Sequence, residues 1–167
     1  MKLLGAGLLW TSLIYAGAAY SINLNKRVAL IEKTLMMLEE MKILIEYLNM
    51  PIYEMLISIS SKEYLRQLNF IAVCADEISK GIDFPNAWKH SLSLSSLQYK
   101  TQEKDKLLQL GENLGASNKE NQLNILSLQT TCFCEYLQKA KDKRKKYGSM
   151  ASTIGVLSGC MIFILII

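Results

Sequence analysis

The feature that most constrains the fold is an abrupt change in polarity near the carboxyl end of the sequence. Residues 139–146 contain six basic residues against one acid, and residues 148–167 contain no charged residue. A helix of about 20 uncharged, mainly apolar residues is long enough to cross the hydrocarbon core of a membrane. The sequence therefore predicts a transmembrane helix over residues 148–167.

The basic residues predict the side of the membrane on which the rest of the chain lies, because Lys and Arg beside a span stay cytoplasmic. Between residues 26 and 138 there are 12 basic against 14 acidic residues, a balance of −2, although the whole chain carries +4. The excess of positive charge therefore lies in the run beside the predicted membrane helix. It does not form a basic face of the kind that binds nucleic acid. The orienting residues are Lys26, Arg27, Lys141, Lys143, Arg144, Lys145 and Lys146.

A second apolar stretch, residues 3–24, has two interpretations. The residues Ala16-Gly17-Ala18 resemble a signal-peptide cleavage site. The length of the stretch and the basic residues that follow it favour an uncleaved transmembrane helix instead. With this helix, both termini are expected outside the cytoplasm, and residues 25–147 are expected to form a cytoplasmic domain.

The periodicity of residues 25–147 is helical throughout. Residues 25–49 contain no Gly or Pro and repeat apolar residues at three- and four-residue steps, so the first span is expected to continue into them as one helix. The run 35–38 is apolar on all sides, which predicts burial on two sides within a bundle. A partner surface is the alternative for this run.

Local signals divide the remaining residues into further helices. Pro51 suits the first turn of one helix, and Ser60 with Glu63 has the capping-box spacing that predicts the start of another, ending at Gly81. A short helix is expected after Asp83, and the serine-rich residues 91–96 are the best loop candidate. No alternating strand pattern is found, so the prediction is an all-α antiparallel bundle of about six helices, flanked by transmembrane helices.

The segment from residue 111 to residue 122 predicts a tight turn between the last two helices. Gly111 and Gly115 permit such a turn, and Gly115 stands where a helix-closing glycine belongs. Ser117 with Glu120 has capping-box spacing and predicts the start of the last helix, which has no breaker before Gly148.

No residue pattern in the chain favours catalysis, metal binding or a cofactor. The neighbouring acids Asp76 and Glu77 diverge on a helix and are expected to be solvated, and His90 has no nucleophile or metal ligand at a recognisable spacing. Cys132 and Cys134 point to different sides of a helix. The cysteines are therefore expected to be reduced, buried thiols.

Small residues in the carboxyl-terminal apolar stretch provide an interaction signal. Ala151, Gly155 and Gly159 recur every four residues and share one helix face, which lets another helix approach closely. The helix on this face is either the first span of the same chain or that of a partner.

The order of these features resembles the stage III sporulation protein AB family of endospore-forming bacteria. The resemblance covers nearly the whole chain and includes the stretch Tyr47 to Glu54. Its most specific part is Gly-x-x-Leu-Gly-x-x-Asn-x-x-x-Gln from Gly111 to Gln122.

This family in turn resembles the cytoplasmic domains of the inner-membrane platform protein of type II secretion and type IV pilus machines. Residues 111–115 are similar to the Gly-Glu-x-x-Gly of those domains, and residues 81–87 to their Gly-x-x-x-x-x-Ala segment. The resemblance implies a six-helix antiparallel bundle that acts as a non-enzymatic platform.

The implied partners are the other proteins of a secretion-like complex between mother cell and forespore, namely membrane proteins and a cytoplasmic ATPase. Self-association of the chain is possible as well. The implied location is the mother-cell membrane that faces the forespore. A membrane-anchored adaptor or regulator of another membrane protein is the alternative. We expect Glu112, Asn113, Asn118 and Gln122 to form a partner-contact or domain-packing cluster.

Overall fold

A computed structural model describes residues 2–114 and 118–166 of the chain, without the side chains of 2–10, 13–14, 149–152, 154–156 and 158–166. Two compact units are present. A terminal unit consists of Met1–Ala29 with Leu137–Ile167, and a central unit consists of Leu30–Tyr136. Six α-helices and no strand occur in the described residues, which confirms the predicted all-α class.

The first helix, α1, runs from Lys2 to Leu48 without a break, as the absence of Gly and Pro from residues 25–49 predicts. Within the central unit its inner side carries core residues such as Leu38 and Met41. The expected burial of residues 35–38 on two sides is wrong, because Met37 is fully buried whereas Met36 is 43% exposed. The helix borders solvent along one face and therefore does not pass through the middle of the domain.

The second helix, α2, spans Ile52–Ser60 and is followed by a single 3₁₀ turn at Glu63–Leu65. The capping box predicted at Ser60 and Glu63 is wrong. The Ser60 hydroxyl donates to the Ile57 carbonyl 2.9 Å away and so completes the last turn of α2. The next helix, α3, begins later and spans Phe70–Ser79.

The turn after α3 forms as predicted. Gly81 has a φ of +91°, a left-handed conformation that a residue with a Cβ rarely adopts. Asp83 then caps α4, Phe84–Leu94, by accepting a hydrogen bond from the Asn86 amide. Four of the six residues of the serine-rich segment, 91–94, belong to α4 rather than to a loop. The hydroxyls of Ser91 and Ser93 donate to carbonyls three residues earlier in this helix.

The last two helices are α5, Thr101–Leu114, and α6, Lys119–Ile166. Glu103 starts α5 by accepting a hydrogen bond from the Lys100 amide at 3.0 Å, although its side chain is almost completely buried. Gly115 and Ser117, predicted to end α5 and to cap α6, lie outside the described residues. The prediction that α6 continues unbroken past Gly148 is confirmed.

Helices α2, α3, α4 and α5 pack on one another in sequence order within the central unit. The largest fully buried side chains of this core include three ring residues, with aliphatic and Met side chains around them. These rings are Phe70, Trp88 and Phe133. A polar contact also lies in the core, where the Thr34 hydroxyl donates to the Leu30 carbonyl and bonds the Tyr99 hydroxyl at 2.7 Å.

In the terminal unit, α1 and α6 approach each other at small residues. A Cβ placed on Gly148 would lie 3.9 Å from the Ser21 hydroxyl oxygen, which is ordinary contact distance. Leu24 and Val28 are buried in the same unit. Among the described residues, no helix carries an apolar segment that is long enough to cross a membrane. The membrane helices at 3–24 and 148–167 stay predictions.

Candidate functional site

The residues predicted to form a contact cluster lie at the carboxyl end of α5 and the beginning of α6. Gly111, Glu112 and Asn113 belong to the last turn and a half of α5, and Asn118 and Gln122 lie on either side of the first turn of α6. Gly111 is helical and buried within α5, so it lies before the turn between the two helices. Gly115, predicted at the same turn, is outside the described part of the chain.

Gly111 is required by packing, since an indole ring occupies the space of its missing side chain. A Cβ placed on Gly111 would lie 2.2 Å from Trp88 Cδ1 and 2.6 Å from Trp88 Cγ. The Trp88 Nε1 donates to the Leu107 carbonyl at 2.8 Å, one helical turn before Gly111. The resemblance at residues 111–115 therefore includes a residue whose role is to join α4 to α5.

Two further rings hold the Trp88 indole from α3 and from the start of α4. Its centroid lies 5.3 Å from that of Phe70 at an angle of 84°, and 5.6 Å from that of Phe84. Edge-to-face pairs of this kind are favourable because the positive edge of one ring meets the negative face of the other. Ala87, the last residue of the other resembling segment, is completely buried beside this contact in α4.

Glu112 and Asn113 are exposed on the outer side of α5. The Asn113 side-chain amide donates to the Gln109 carbonyl at 2.7 Å, within the same helix. These two residues thus differ from Gly111, since neither side chain enters the core.

Asn118 and Gln122 have local roles at the junction of α5 and α6. The Asn118 Oδ1 accepts from the Asn121 amide at 3.1 Å, the contact of a helix N-cap. The Gln122 side-chain amide donates to the Leu114 carbonyl at 2.9 Å, one of the carbonyls that α5 leaves without a helical partner. Both residues therefore belong to the packing part of the predicted cluster.

Lys119 ties the same junction to the end of α1, and the sequence analysis missed this contact. Its ammonium group donates to the Glu46 carbonyl at 2.8 Å and to the Asn49 side chain. Asn49 has a φ of +46°, in the left-handed region that Asn tolerates better than most residues at a helix end. An Asn two residues before Pro51 was a local signal for this conformation.

A second missed cluster joins α1 to the residues after α2. Glu40 accepts hydrogen bonds from the Lys62 ammonium group at 2.6 Å and from the Tyr64 hydroxyl at 2.5 Å. These two bonds, the one from Lys62 first, lower the pKa of the Glu40 carboxyl below its ordinary value of 4.5. The carboxylate in turn raises the pKa of Lys62 above 10.5. The pair is thus charged across the neutral range.

The prediction for Glu77 is also corrected. Asp76 is exposed, whereas Glu77 is buried and bonds His90 Nδ1 through its Oε1. Cys74 lies one turn earlier on α3, and burial raises the pKa of its thiol to about 12. A thiol with that pKa is an inert packing group at neutral pH. Across residues 2–114 and 118–166, no three His, Cys, Asp or Glu side chains are grouped as metal ligands.

The predicted membrane-orienting residues lie in the terminal unit. Lys26 and the run 143–146 are exposed, while Arg27 and Lys141 are partly buried. Of the small-residue face, Ala151, Gly155 and Gly159, only the helical backbone is described. Their proposed role in helix packing stays a prediction.

A family profile, stage III sporulation protein AB, matches residues 2–167. The chain belongs to this family. The profile covers both terminal apolar stretches and the whole central unit. Searches of curated proteins and of solved structures find no significant match. The resemblance suggested by residues 111–122 is thus confirmed at the level of a stage III sporulation protein.

Because of the contact between Gly111 and Trp88, we expect replacement of this helical glycine by Ala to lower the stability of the protein, whereas such a change within a helix usually raises it. On helix propensity alone, Gly111→Ala would stabilise the protein by about 1 kcal/mol. Because the new methyl group would overlap the buried indole, we expect a loss of about 1–3 kcal/mol instead, measured by thermal denaturation of the purified full-length chain. An exposed residue of the same helix provides the control, as Asp105→Ala should change stability by less than about 0.5 kcal/mol. A more stable Gly111→Ala protein would contradict the packing role.

The Glu40–Lys62 pair predicts a pH-dependent contribution to stability. The pKa of Glu40 is lowered by folding, so its contribution is complete above the ordinary value of 4.5 and is lost as the pH falls through the folded-state pKa. We expect Lys62→Met to lower the melting temperature at neutral pH, with a difference from wild type that shrinks below pH 4.5. Carboxyl NMR should show Glu40 titrating higher in the variant. An unchanged Glu40 titration would refute the coupling.

Proposed function

We propose that the chain is a non-enzymatic platform component of the secretion-like complex that joins mother cell and forespore. In this role it holds a cytoplasmic ATPase against the membrane-spanning apparatus. The observation that carries the proposal is the family match over residues 2–167, which includes the segments that resemble secretion platform domains. A membrane-anchored adaptor for a single client is the competing role.

The proposed topology is a hairpin with both termini outside the cytoplasm. Residues 3–24 and 148–167 form its two membrane helices, and the central unit is cytoplasmic. The charge distribution supports this orientation, because the basic residues are placed beside the inner ends of both apolar stretches. The exposure of Lys26 and of residues 143–146 leaves these charges accessible to lipid headgroups.

The proposed mechanism is mechanical rather than chemical. Helix α1 contains residues of the first apolar stretch and core residues of the central unit, and α6 does the same for the second stretch. A continuous helix transmits displacement along its axis because its backbone hydrogen bonds resist stretching. A force applied to the central unit by the ATPase would thereby reach the membrane.

Glu112 and Asn113 are the proposed contact for a partner. An acidic residue in the last helical turn faces the negative end of the helix macrodipole, which costs about 0.3–1 kcal/mol at low ionic strength. The Glu112 side chain is exposed, and no ion pair to it is found in the described region. Its position therefore does not follow from helix stability or packing, which supports a role in binding.

Affinity purification from sporulating cells tests this contact and the platform role. We expect the wild-type chain to co-purify with a multiprotein assembly that includes an ATPase. The double variant Glu112→Ala and Asn113→Ala should lose the ATPase and reduce sporulation without a change in protein level. The matched control Asp105→Ala, also exposed on α5, should retain both.

Two outcomes would contradict these proposals. A single stoichiometric client in place of an assembly would favour the adaptor. Full assembly and sporulation with the double variant would remove Glu112 and Asn113 from the contact.

Site-specific labelling tests the topology at Ser61, which is exposed at the end of α2. The background would replace Cys132, Cys134 and Cys160 and retain Cys74, which is buried. We expect Ser61→Cys to resist a membrane-impermeant maleimide in intact cells and to react after permeabilisation. Labelling of intact cells would place the central unit outside and favour a cleaved signal peptide.

A further inference from the structure

Helices α1 and α6 meet in the terminal unit at Ser21 and Gly148. A Cβ placed on Gly148 would lie 3.9 Å from the Ser21 hydroxyl oxygen and 3.8 Å from the Cγ of Arg144. Because the terminal unit contains α1 up to residue 29 and α6 from residue 137, the two helices run antiparallel through this contact. Residues at equal distances from the contact therefore lie at equal levels along the helix axes.

Positive charges on the two helices fall at the same level, on one side of this contact. Lys26 is five residues after Ser21 on α1, and residues 143–146 are two to five residues before Gly148 on α6. These spacings correspond to about 7.5 Å and to about 3–7.5 Å along the helix axes. All of these basic side chains are exposed. They form one layer, the basic collar, which consists of Lys26, Lys143, Arg144, Lys145 and Lys146.

The basic collar surrounds α6 and does not line one side of it. Four consecutive residues at about 100° per residue cover about 300° of the helix circumference. A protein that docks on a helix contacts one face of it. The headgroup layer of a membrane, in contrast, encloses a helix on all sides. The distribution of the cations therefore favours a lipid surface as the partner.

The region around the collar is positive when every acid and base is counted. Residues 20–29 and 137–148 contain eight basic residues and one acid, a balance of +7. Three of the basic residues interact with other groups of the chain, namely Arg27, Lys139 and Lys141. The remaining five and the acid leave a balance of +4. The acid is Asp142, which accepts a hydrogen bond from the Gln138 side-chain amide at 3.1 Å.

The carboxylates nearest in sequence do not neutralise the collar. Glu32 on α1 is six residues from Lys26, and Glu135 on α6 is eight residues from Lys143. Both acids interact with other groups of the chain. No carboxylate with a described side chain lies within ion-pair distance of a collar residue. The collar therefore keeps its charge for a ligand.

Beyond the collar, neither helix carries a charge. Residues 3–25 and 147–167 contain no Asp, Glu, Lys, Arg or His. Tyr20 and Tyr147, each adjacent in sequence to a contact residue, are 42% and 40% exposed. The Lys146 ammonium group lies 5.4 Å from the centre of the Tyr147 ring. Tyrosine is enriched where acyl chains meet headgroups, because its ring is apolar and its hydroxyl is polar.

We infer that the basic collar binds the anionic headgroups of acidic phospholipids, and that Tyr20 and Tyr147 lie at the boundary between headgroups and acyl chains. The ammonium and guanidinium groups pair with lipid phosphates and enrich acidic lipid around both helices. The inference rests on the proposed membrane hairpin, to which it adds a lipid class and the level of the membrane surface. It does not depend on the contact proposed for Glu112 and Asn113.

Electron spin resonance of labelled lipids tests the inference on the full-length chain in phosphatidylcholine vesicles. Spin-labelled phosphatidylglycerol or phosphatidylcholine with identical acyl chains is added in trace amounts, and the fraction immobilised by the protein is measured. We expect phosphatidylglycerol to associate at least about threefold more strongly at low salt, and the preference to disappear at about 1 M salt, where the Debye length is about 3 Å. Equal association at low salt would overturn the inference and leave an acidic protein as the partner of the collar.

Neutralisation of the collar on α6 identifies the residues that select the lipid. The collar variant combines four substitutions, Lys143→Gln, Arg144→Gln, Lys145→Gln and Lys146→Gln. The control variant removes three Lys and one Arg from exposed positions of the central unit by Arg66→Gln, Lys89→Gln, Lys100→Gln and Lys104→Gln. We expect the collar variant to lose the preference for phosphatidylglycerol and the control variant to keep it. Any other pattern would overturn the inference, and loss in both variants would assign the preference to net charge alone.

Flotation of the same vesicles separates this inference from the proposed topology. A wild-type chain that floats with phosphatidylcholine vesicles after alkaline extraction but shows no lipid preference would retain the hairpin and lose the lipid-binding collar. A chain that does not float would contradict both. Circular dichroism should show the same melting temperature for the wild type and both variants, because every substituted side chain is exposed.

Discussion

The central unit depends on one close contact, between the indole of Trp88 and the bare backbone of Gly111. The ring is fully buried and is enclosed by Phe70, Phe84 and helix α5. Its Nε1 donates to the Leu107 carbonyl, the oxygen that helix geometry also pairs with the amide of residue 111. A carbonyl has two lone pairs and accepts both bonds. Sliding α4 along α5 would therefore leave a buried donor without a partner and would drive the ring into a neighbouring side chain.

This contact divides the Gly-Glu-x-x-Gly stretch into an inner and an outer part. Gly111 faces the core and fixes the distance between α4 and α5, while Glu112 and Asn113 lie on the opposite side. One short motif thus contains a packing requirement and a surface. The resemblance to secretion platform domains cannot separate these two, because a sequence comparison weighs all positions alike. The structure separates them through the position of a single ring.

The structural features that the sequence predicted correctly are those that depend on residues close to one another in the chain. Helical periodicity and the lack of breakers predicted α1 and α6, and Gly81 was correctly placed at the end of α3. Ser60 with Glu63 was misread because a Ser in a last helical turn and a Ser before a first turn look alike in sequence. The bonds from Lys62 to Glu40 and from Lys119 to Asn49 join residues 22 and 70 positions apart, which no local pattern reveals.

Met36 and Ile43 on α1 show why counting apolar residues along a helix overestimates the number that are buried in the core. Residues 35–38 are apolar on all sides, yet α1 needs only the arc that includes Met37, Leu38 and Met41 to bury itself. Met36 and Ile43 extend that apolar character to the opposite side, where they add nothing to the fold and reduce solubility. Glu39 and Glu46 beside them offset this cost in the free protein, because exposed charges keep a surface hydrated and oppose association with similar faces.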